Sequence, residues 1–381
     1  MTPSARLSAA IGILDRVLAG EPAEKALVNW GRASRFAGAG DRLAVRDLVF
    51  DALRRRRSAA ARGGGLTGRG LVLGLAREAG QEALFTGVGH APAVVGPADA
   101  ERELAAEDRT DLPDWLLPDL RASLGAEFAP VAEALRSRAP VFLRVNLGKT
   151  DLAGAVAALA AEGILARPHP MAATALEVVE NARKVQSSQA FQTGLVELQD
   201  AASQAVVAAL PLVDGMTVLD HCAGGGGKTL AMAARAKLRL FAHDANPRRM
   251  ADLPDRAKRA GAKVTLTDRP EATAPYDLVL VDAPCSGSGS WRRDPEGKWK
   301  ITPQSLDSIV DLQKAILDRA ALMVRPQGWL AYATCSLLDR ENRLQVRALL
   351  ARDSGWVLTR ELRLTPAQGG DGFYLALLQR G

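Results

Sequence analysis

The sequence predicts an α/β chain in three parts. An all-helical region spans residues 1–135, a small α/β segment spans 136–199, and a mostly parallel seven-stranded sheet with its helices spans 200–381. Three observations predict this order. Apolar residues recur at helical spacing through the first third, without strand patterning. From Gln199 onward, short apolar runs alternate with helices, which is the texture of βαβ units. The first of those runs leads straight into four consecutive glycines and a helix.

In the helical region the periodic positions are Leu7, Ile11, Leu14 and Leu18, then Leu43, Val45, Leu48, Val49 and Leu53. The Gly- and Ala-rich stretch from Ser58 to Gly70 predicts a loop, as does the stretch from Gly87 to Ala98 with its prolines and glycines. Val141 to Asn146 predicts a strand and Leu152 to Ala161 a helix. The seven predicted strands are Thr217–Asp220, Leu238–Asp244, Lys263–Thr267, Leu278–Asp282, Trp329–Thr334, Trp356–Leu362 and Gly372–Leu378.

Composition excludes several classes. No apolar run approaches the ~20 residues of a spanning helix, and the amphipathic first 20 residues, with Arg6, Asp15 and Arg16, are no signal peptide. A cytoplasmic address and reduced thiols follow as expectations. Three cysteines build no disulfide framework, and none has metal-binding spacing, so no metal is expected. A net charge of +6 suits a polyanionic partner. The run Arg54 to Arg57 reads either as a solvated helix end or as a phosphate contact. Arg292, Arg293 and Lys298 form a second basic cluster, and both clusters are expected to add affinity for such a partner.

Val218-Leu219-Asp220-His221-Cys222-Ala223 runs into Gly224-Gly225-Gly226-Gly227-Lys228-Thr229. Such a loop lets a ligand approach the backbone and aims a helix N-terminus at it. The ligand is a phosphate, a dinucleotide or S-adenosyl-L-methionine. A P-loop ending at Gly227-Lys228-Thr229 needs glycine at position 222, which is Cys222, so that reading fails. The other two both want an acid ending the second strand, and Asp244 lies 24 residues after Asp220. His221 reads as an incidental loop residue, Cys222 as a small buried hydrophobe, and Lys228 also as a residue that caps or solvates the loop.

Asp282-Ala283-Pro284-Cys285-Ser286-Gly287 follows the fourth strand and Thr334-Cys335-Ser336 follows the fifth. Residues past the carboxyl ends of neighbouring strands converge on one crevice, so two thiols should face the ligand space. A thiolate there suits methylation of cytosine. Carbon 5 is too electron-poor to attack a methyl sulfonium, but thiolate addition to carbon 6 makes it nucleophilic. A free thiol ionises only near pH 8.5, so the site must favour the thiolate with positive charge or dipoles.

Together these motifs resemble the Sun (RsmB, Fmu) family of RNA cytosine-5 methyltransferases. Gln199 to Gln204, Phe142 to Asn146, Arg292-Arg293 to Trp299 and Asp371-Gly372-Phe373 are similar to further segments of that family. The resemblance implies a Rossmann-like class I methyltransferase domain. It implies Cys335 as the nucleophile and Cys285 as the thiol that helps release product, whereas DNA enzymes place the nucleophile in a Pro-Cys-Gln motif. It implies S-adenosyl-L-methionine held by Cys222, Ala223, Gly224, Gly225, Gly226, Gly227, Lys228, Asp244, Asp268 and Asp282, with Asp282 also at the cytosine. The family has Ala-Pro where this chain has Gly224-Gly225, so ordering the loop should cost more, on the order of 1 kcal/mol.

Asp41 to Phe50 resembles the NusB-like domain of the RsmB branch. That implies small-subunit (16S) ribosomal RNA as substrate, with tRNA as the alternative; separately, a monomer is the expected working form. The target cytosine should be unstacked, since carbon 6 is attacked from above the ring. A non-catalytic ribosome-assembly factor is the rival reading, and it has no need of two thiols after adjacent strands.

Overall fold

Apolar stripes at helical spacing collapse the first third into a bundle. The computed structural model describes residues 1–381. Helices α1 (Pro3–Leu18), α2 (Ala23–Ala33), α3 (Ala39–Arg54), α4 (Arg56–Arg62) and α5 (Gly68–Glu78) share one core, in which Leu7, Leu14, Val45, Val49, Leu53, Leu71 and Leu73 are buried. Helices α6 (Leu117–Leu124) and α7 (Phe128–Leu135) follow. The predicted loop from Ser58 to Gly70 is a correction: most of it is helix, split by a turn at 63–67. Its small residues serve close packing. A Cβ on Gly74 of α5 would lie 2.0 Å from the Ala59 carbonyl oxygen of α4, so only glycine admits that approach.

The chain forms two compact units, Met1–Arg138 with Trp291–Lys300, and Ala139–Ser290 with Ile301–Gly381. The segment 291–300, which includes the one-turn helix Gly297–Lys300, therefore packs with the helical bundle. Lys298 Nζ donates to the Arg54 carbonyl at 2.9 Å, Trp299 Nε1 to the Leu53 carbonyl at 2.7 Å, and Arg54 Nε to the Arg292 carbonyl at 2.9 Å.

This overturns both readings of the basic clusters. Arg54, Arg292 and Lys298 are buried. Arg54 pairs with Asp51, Arg55 with Glu78, and Arg57 with Asp108 and Asp114, while Arg56 stacks over Trp299 at 5.0 Å. Apart from the exposed Arg293, the two clusters meet in one joint within a single unit, where Arg54 to Arg57 and Lys298 have partners inside the protein.

In the second unit, β1 (Val141–Val145), β2 (Leu165–Pro168), β3 (Ala175–Glu180) and β4 (Val196–Leu198) form an antiparallel sheet in the order β2-β3-β1-β4. Its core takes Leu143, Leu159, Ile164 and Val178, with Leu159 on the predicted helix α8 (Leu152–Ala161).

The large sheet runs β10-β11-β9-β8-β5-β6-β7. Its strands are β5 (Thr217–Asp220), β6 (Arg239–Ala242), β7 (Thr265–Leu266), β8 (Tyr276–Asp282), β9 (Val324–Thr334), β10 (Trp356–Leu364) and β11 (Phe373–Arg380). Strands β5 to β9 are parallel, and β11 runs antiparallel to both β9 and β10. Side chains alternate between two cores, as strand geometry demands. Val218, Leu278, Leu280, Ala331 and Leu375 face one, with Val206 and Met232; Leu219, Val279, Val281, Tyr332 and Tyr374 face the other, with Leu317 and Val346. Burial on both faces explains why these strands read as continuous apolar runs. The chain winds outward from β5 to β6 and β7, then returns to β8 on the other side. The carboxyl ends of β5 and β8 therefore flank a topological switch point, where such sheets bind ligands.

Candidate active site at the switch point

Asp220 ends β5, and the glycine loop carries the chain from it into the helix Gly227–Ala233. Gly224 and Gly226 have φ of +52° and +80°, in the left-handed region. A Cβ on Gly226 would sit 2.2 Å from Leu253 Cδ1. Two arginines brace the loop: Arg256 Nη1 donates to the Gly225 carbonyl, and Arg249 pairs with Asp244 at 3.1 Å beside Gly224.

Asp244 lies two residues beyond the end of β6, buried, and accepts from Gly224 N at 3.0 Å and Asn246 N at 2.9 Å. Strand β6 stops at Ala242, earlier than predicted, and this frees the acid to face the glycine loop. Asp268 lies on the exposed loop after β7. A cavity of about 480 Å³ joins the two acids and is lined by His243, Pro247, Met250 and Leu266 as well.

Asp220 is almost fully buried; its Oδ2 accepts from Thr229 Oγ1 at 2.6 Å and its Oδ1 has no partner. Burial pushes its carboxyl up to about 7. An orphaned buried oxygen, a glycine cradle and an acid-lined cavity together fit the polar and apolar parts of S-adenosylmethionine. His221 is buried and stacks on His243 at 5.1 Å; burial and its neighbour push it down to about 4, so the ring is neutral. It is a packed core residue and not a loop bystander. Cys222 packs against the core, and burial raises its thiol well above the ordinary range.

Lys228 neither caps nor solvates the loop. It is buried, with Nζ 2.8 Å from Asp282 Oδ2 and 4.6 Å from the centre of the Phe373 ring. Burial works against its charge, yet the Asp282 carboxylate outweighs that and holds the ammonium above its usual range.

Asp282 ends β8 and is paired in register with Ala333 of β9, so the loops that follow run side by side. They place Cys285 Sγ and Cys335 Sγ 3.4 Å apart, both partly exposed. The pair is polarised. Cys335 is lowered by the hydrogen bond from Cys285, by Lys228 and by Ser290 Oγ, which donates to its sulfur at 4.0 Å. Cys285 is raised by that same bond, by burial and by Glu341. The pair thus favours ionisation of Cys335 over that of Cys285.

The crevice brings together Cys335, Cys285, Asp282, Lys228 and the glycine loop, with Asp244 and Asp268 along the adjoining cavity. Sequence reasoning missed Glu341, Asn342, Ser286, Ser290 and Ser336, which surround the thiols. The only signal for Glu341-Asn342 was an acid-amide pair shortly after Cys335.

The sequence matches the family described as "16S rRNA methyltransferase RsmB/F" over residues 207–379. It also matches the "Methyltr_RsmF/B-like, ferredoxin-like domain" over residues 112–186. It is 35% identical over 306 residues to the "Ribosomal RNA small subunit methyltransferase B" of Vibrio cholerae serotype O1, covering 74% of this chain and 68% of that one. Among solved structures, PH0851 is 22% identical with a TM-score of 0.78, covering 100% of this chain and 99% of that one. A methyltransferase homolog protein from Pyrococcus horikoshii is 24% identical with a TM-score of 0.63, covering 72% and 97%. At these identities the two structural likenesses speak for the fold. No helix is long and apolar enough to cross a membrane.

Proposed function

The chain belongs to the RsmB/F family of 16S rRNA methyltransferases, and on that premise we propose that Cys335 adds to carbon 6 of an unstacked cytosine so that carbon 5 can take a methyl group. It is an S-adenosylmethionine-dependent rRNA methyltransferase. The observation that carries the proposed chemistry is the pair of sulfurs 3.4 Å apart, one favoured as thiolate and the other as thiol.

S-adenosylmethionine, when bound, supplies an electrophilic methyl group. Asp244 and Asp268 are the acids placed to hold its polar groups, and Cys222 to Lys228 form its cradle. Lys228 favours the Cys335 thiolate and, through their ion pair, holds Asp282 in place at the cytosine edge. The thiolate forms a carbon–sulfur bond to carbon 6, and the electron pair it displaces is delivered from carbon 5 to the methyl group. A base then removes the carbon 5 proton, and that electron pair expels Cys335 as thiolate. Cys285, at contact distance from the departing sulfur, assists this release. The target lies in small-subunit rRNA, the enzyme works as a cytoplasmic monomer without a metal, and the helical unit contributes RNA binding.

Two variants test the mechanism on one denaturing gel with 16S rRNA and S-adenosylmethionine. Cys335→Ala should lose both methylation and the covalent protein–RNA adduct. Cys285→Ala should still attack and transfer methyl but accumulate the adduct. The reverse pattern would move the nucleophile to Cys285, and normal turnover in both would end the covalent mechanism. Bisulfite sequencing of the product RNA tests carbon 5.

A further inference from the structure

Beside the two thiol loops lies a buried carboxylate that the reaction above does not use. Glu341 sits without exposure in the turn that leads from Cys335 to the helix Arg343–Arg352. Its Oε1 accepts from the Ser286 backbone N–H at 2.7 Å and from Gln313 Nε2 at 3.1 Å. Its Oε2 accepts from Ser286 Oγ at 2.5 Å and from Ser336 Oγ. Ser286 follows Cys285 and Ser336 follows Cys335, so one carboxylate is tied to the residue after each thiol. Gln313 also donates to the Pro284 carbonyl at 2.9 Å, fixing the residue before Cys285. Asn342 accepts from Thr334 Oγ1 and donates to the Ser336 carbonyl at 2.8 Å, bracketing Cys335 from the other side. Four donors converge on two oxygens, an arrangement that suits a carboxylate.

We propose that Glu341 is a positioning residue with two effects: it registers the two thiol loops against each other, and its charge opposes ionisation of Cys285 while Lys228 favours that of Cys335. The inference rests on the two-thiol reaction. Its electrostatic half follows from the groups that face the sulfurs. Lys228 approaches from the helix after the glycine loop, Asp282 from the end of β8, Ser290 from the loop after Cys285 and Tyr332 from β9. Asp282 opposes a Cys335 thiolate and its partner Lys228 favours one, so the pair sets one charge against the other and the bond from Cys285 is the largest influence favouring Cys335. Glu341 has no cation among its partners and is left to act on Cys285.

Glu341→Gln separates charge from geometry. The amide oxygen accepts from the two N–H donors, and its NH₂ donates to the two serine hydroxyls once they rotate, so the bonds persist without the charge. Glu341→Ala removes both. The full-length enzyme is alkylated with iodoacetamide across pH, and each cysteine is followed by peptide mass spectrometry, with kcat, KM and adduct measured in parallel. In the unsubstituted enzyme Cys335 should react faster than Cys285. Glu341→Gln should cut that preference on the order of tenfold, one pH unit of relative ionisation. It should also lower kcat while KM for S-adenosylmethionine stays within about twofold, a split that a general loss of structure would not give. Glu341→Ala should lose adduct formation as well. An unchanged alkylation preference in Glu341→Gln overturns the proposal, and so does full adduct formation in Glu341→Ala. Failure of the reaction itself is read elsewhere, as turnover in Cys335→Ala.

Discussion

Asp244 satisfies the Gly224 and Asn246 amides and the Arg249 guanidinium with one buried side chain, so it orders the glycine loop as well as facing the cofactor cavity. Asp244→Ala should weaken S-adenosylmethionine binding by about 1.5–3 kcal/mol, the range for a hydrogen bond to a charged group. Calorimetry showing unchanged affinity would remove Asp244 from the site. This acid was legible in the sequence, as were Cys285, Cys335 and Lys228, because each follows an apolar strand inside a short motif whose chemistry is specific. Glu341 was not. Among 43 acidic residues nothing in its spacing separates a buried carboxylate from a solvated one, since its role is set by Ser286 on another loop as well as by Ser336 of its own turn. Arg54 to Arg57 misled for the same reason: a run of charge says nothing about its partners, and here they are internal carboxylates and carbonyls.

At the scale of elements, the sequence located β1 and the seven strands of the large sheet by their apolar runs, erred at their ends and missed β2, β3 and β4. Strand β6 was drawn through Asp244, although the chain leaves the sheet at Ala242 to aim that acid inward. Glycine was ambiguous in a second way, read as loop at 58–70 where it marks helix contact. The four-glycine loop shows that neighbouring glycines differ in kind. Gly226 combines a left-handed backbone with a neighbour, Leu253, that is buried and cannot yield, whereas Gly224 faces the far end of a partly exposed Arg249. Gly226→Ala should therefore cost on the order of 2–3 kcal/mol, strain plus overpacking, and abolish cofactor binding. Gly224→Ala should cost about 1 kcal/mol, the left-handed penalty alone. Denaturant midpoints of the two variants check the ranking, and equal losses would refute it.

Each unit holds a buried group whose charge burial opposes, Asp220 in the sheet unit and Lys298 in the helical unit, and their opposite signs make the pH dependence of the units diverge. In the sheet unit, burial raises Asp220 to about 7 from the ordinary 3.8. Below pH 3.8 the folded and unfolded forms are both protonated and its contribution is fully present. As pH rises toward 7 only the unfolded chain releases the proton, and the contribution is lost. In the helical unit, burial lowers Lys298 to about 7 from 10.5. Its contribution is complete above 10.5 and is lost as pH falls from 10.5 toward 7, because between those values only the unfolded chain binds the proton. Each effect is on the order of 4–5 kcal/mol. Hydrogen exchange of the cofactor-free protein, resolved by peptide, should show the sheet unit losing protection between pH 4 and 7 and the helical unit gaining it between pH 7 and 10, after correction for intrinsic exchange rates. Asp220→Asn should flatten the first trend alone and Lys298→Met the second alone. A common pH profile for both units, or flattening of both by one substitution, would show that these two buried groups do not set the stability of their own cores.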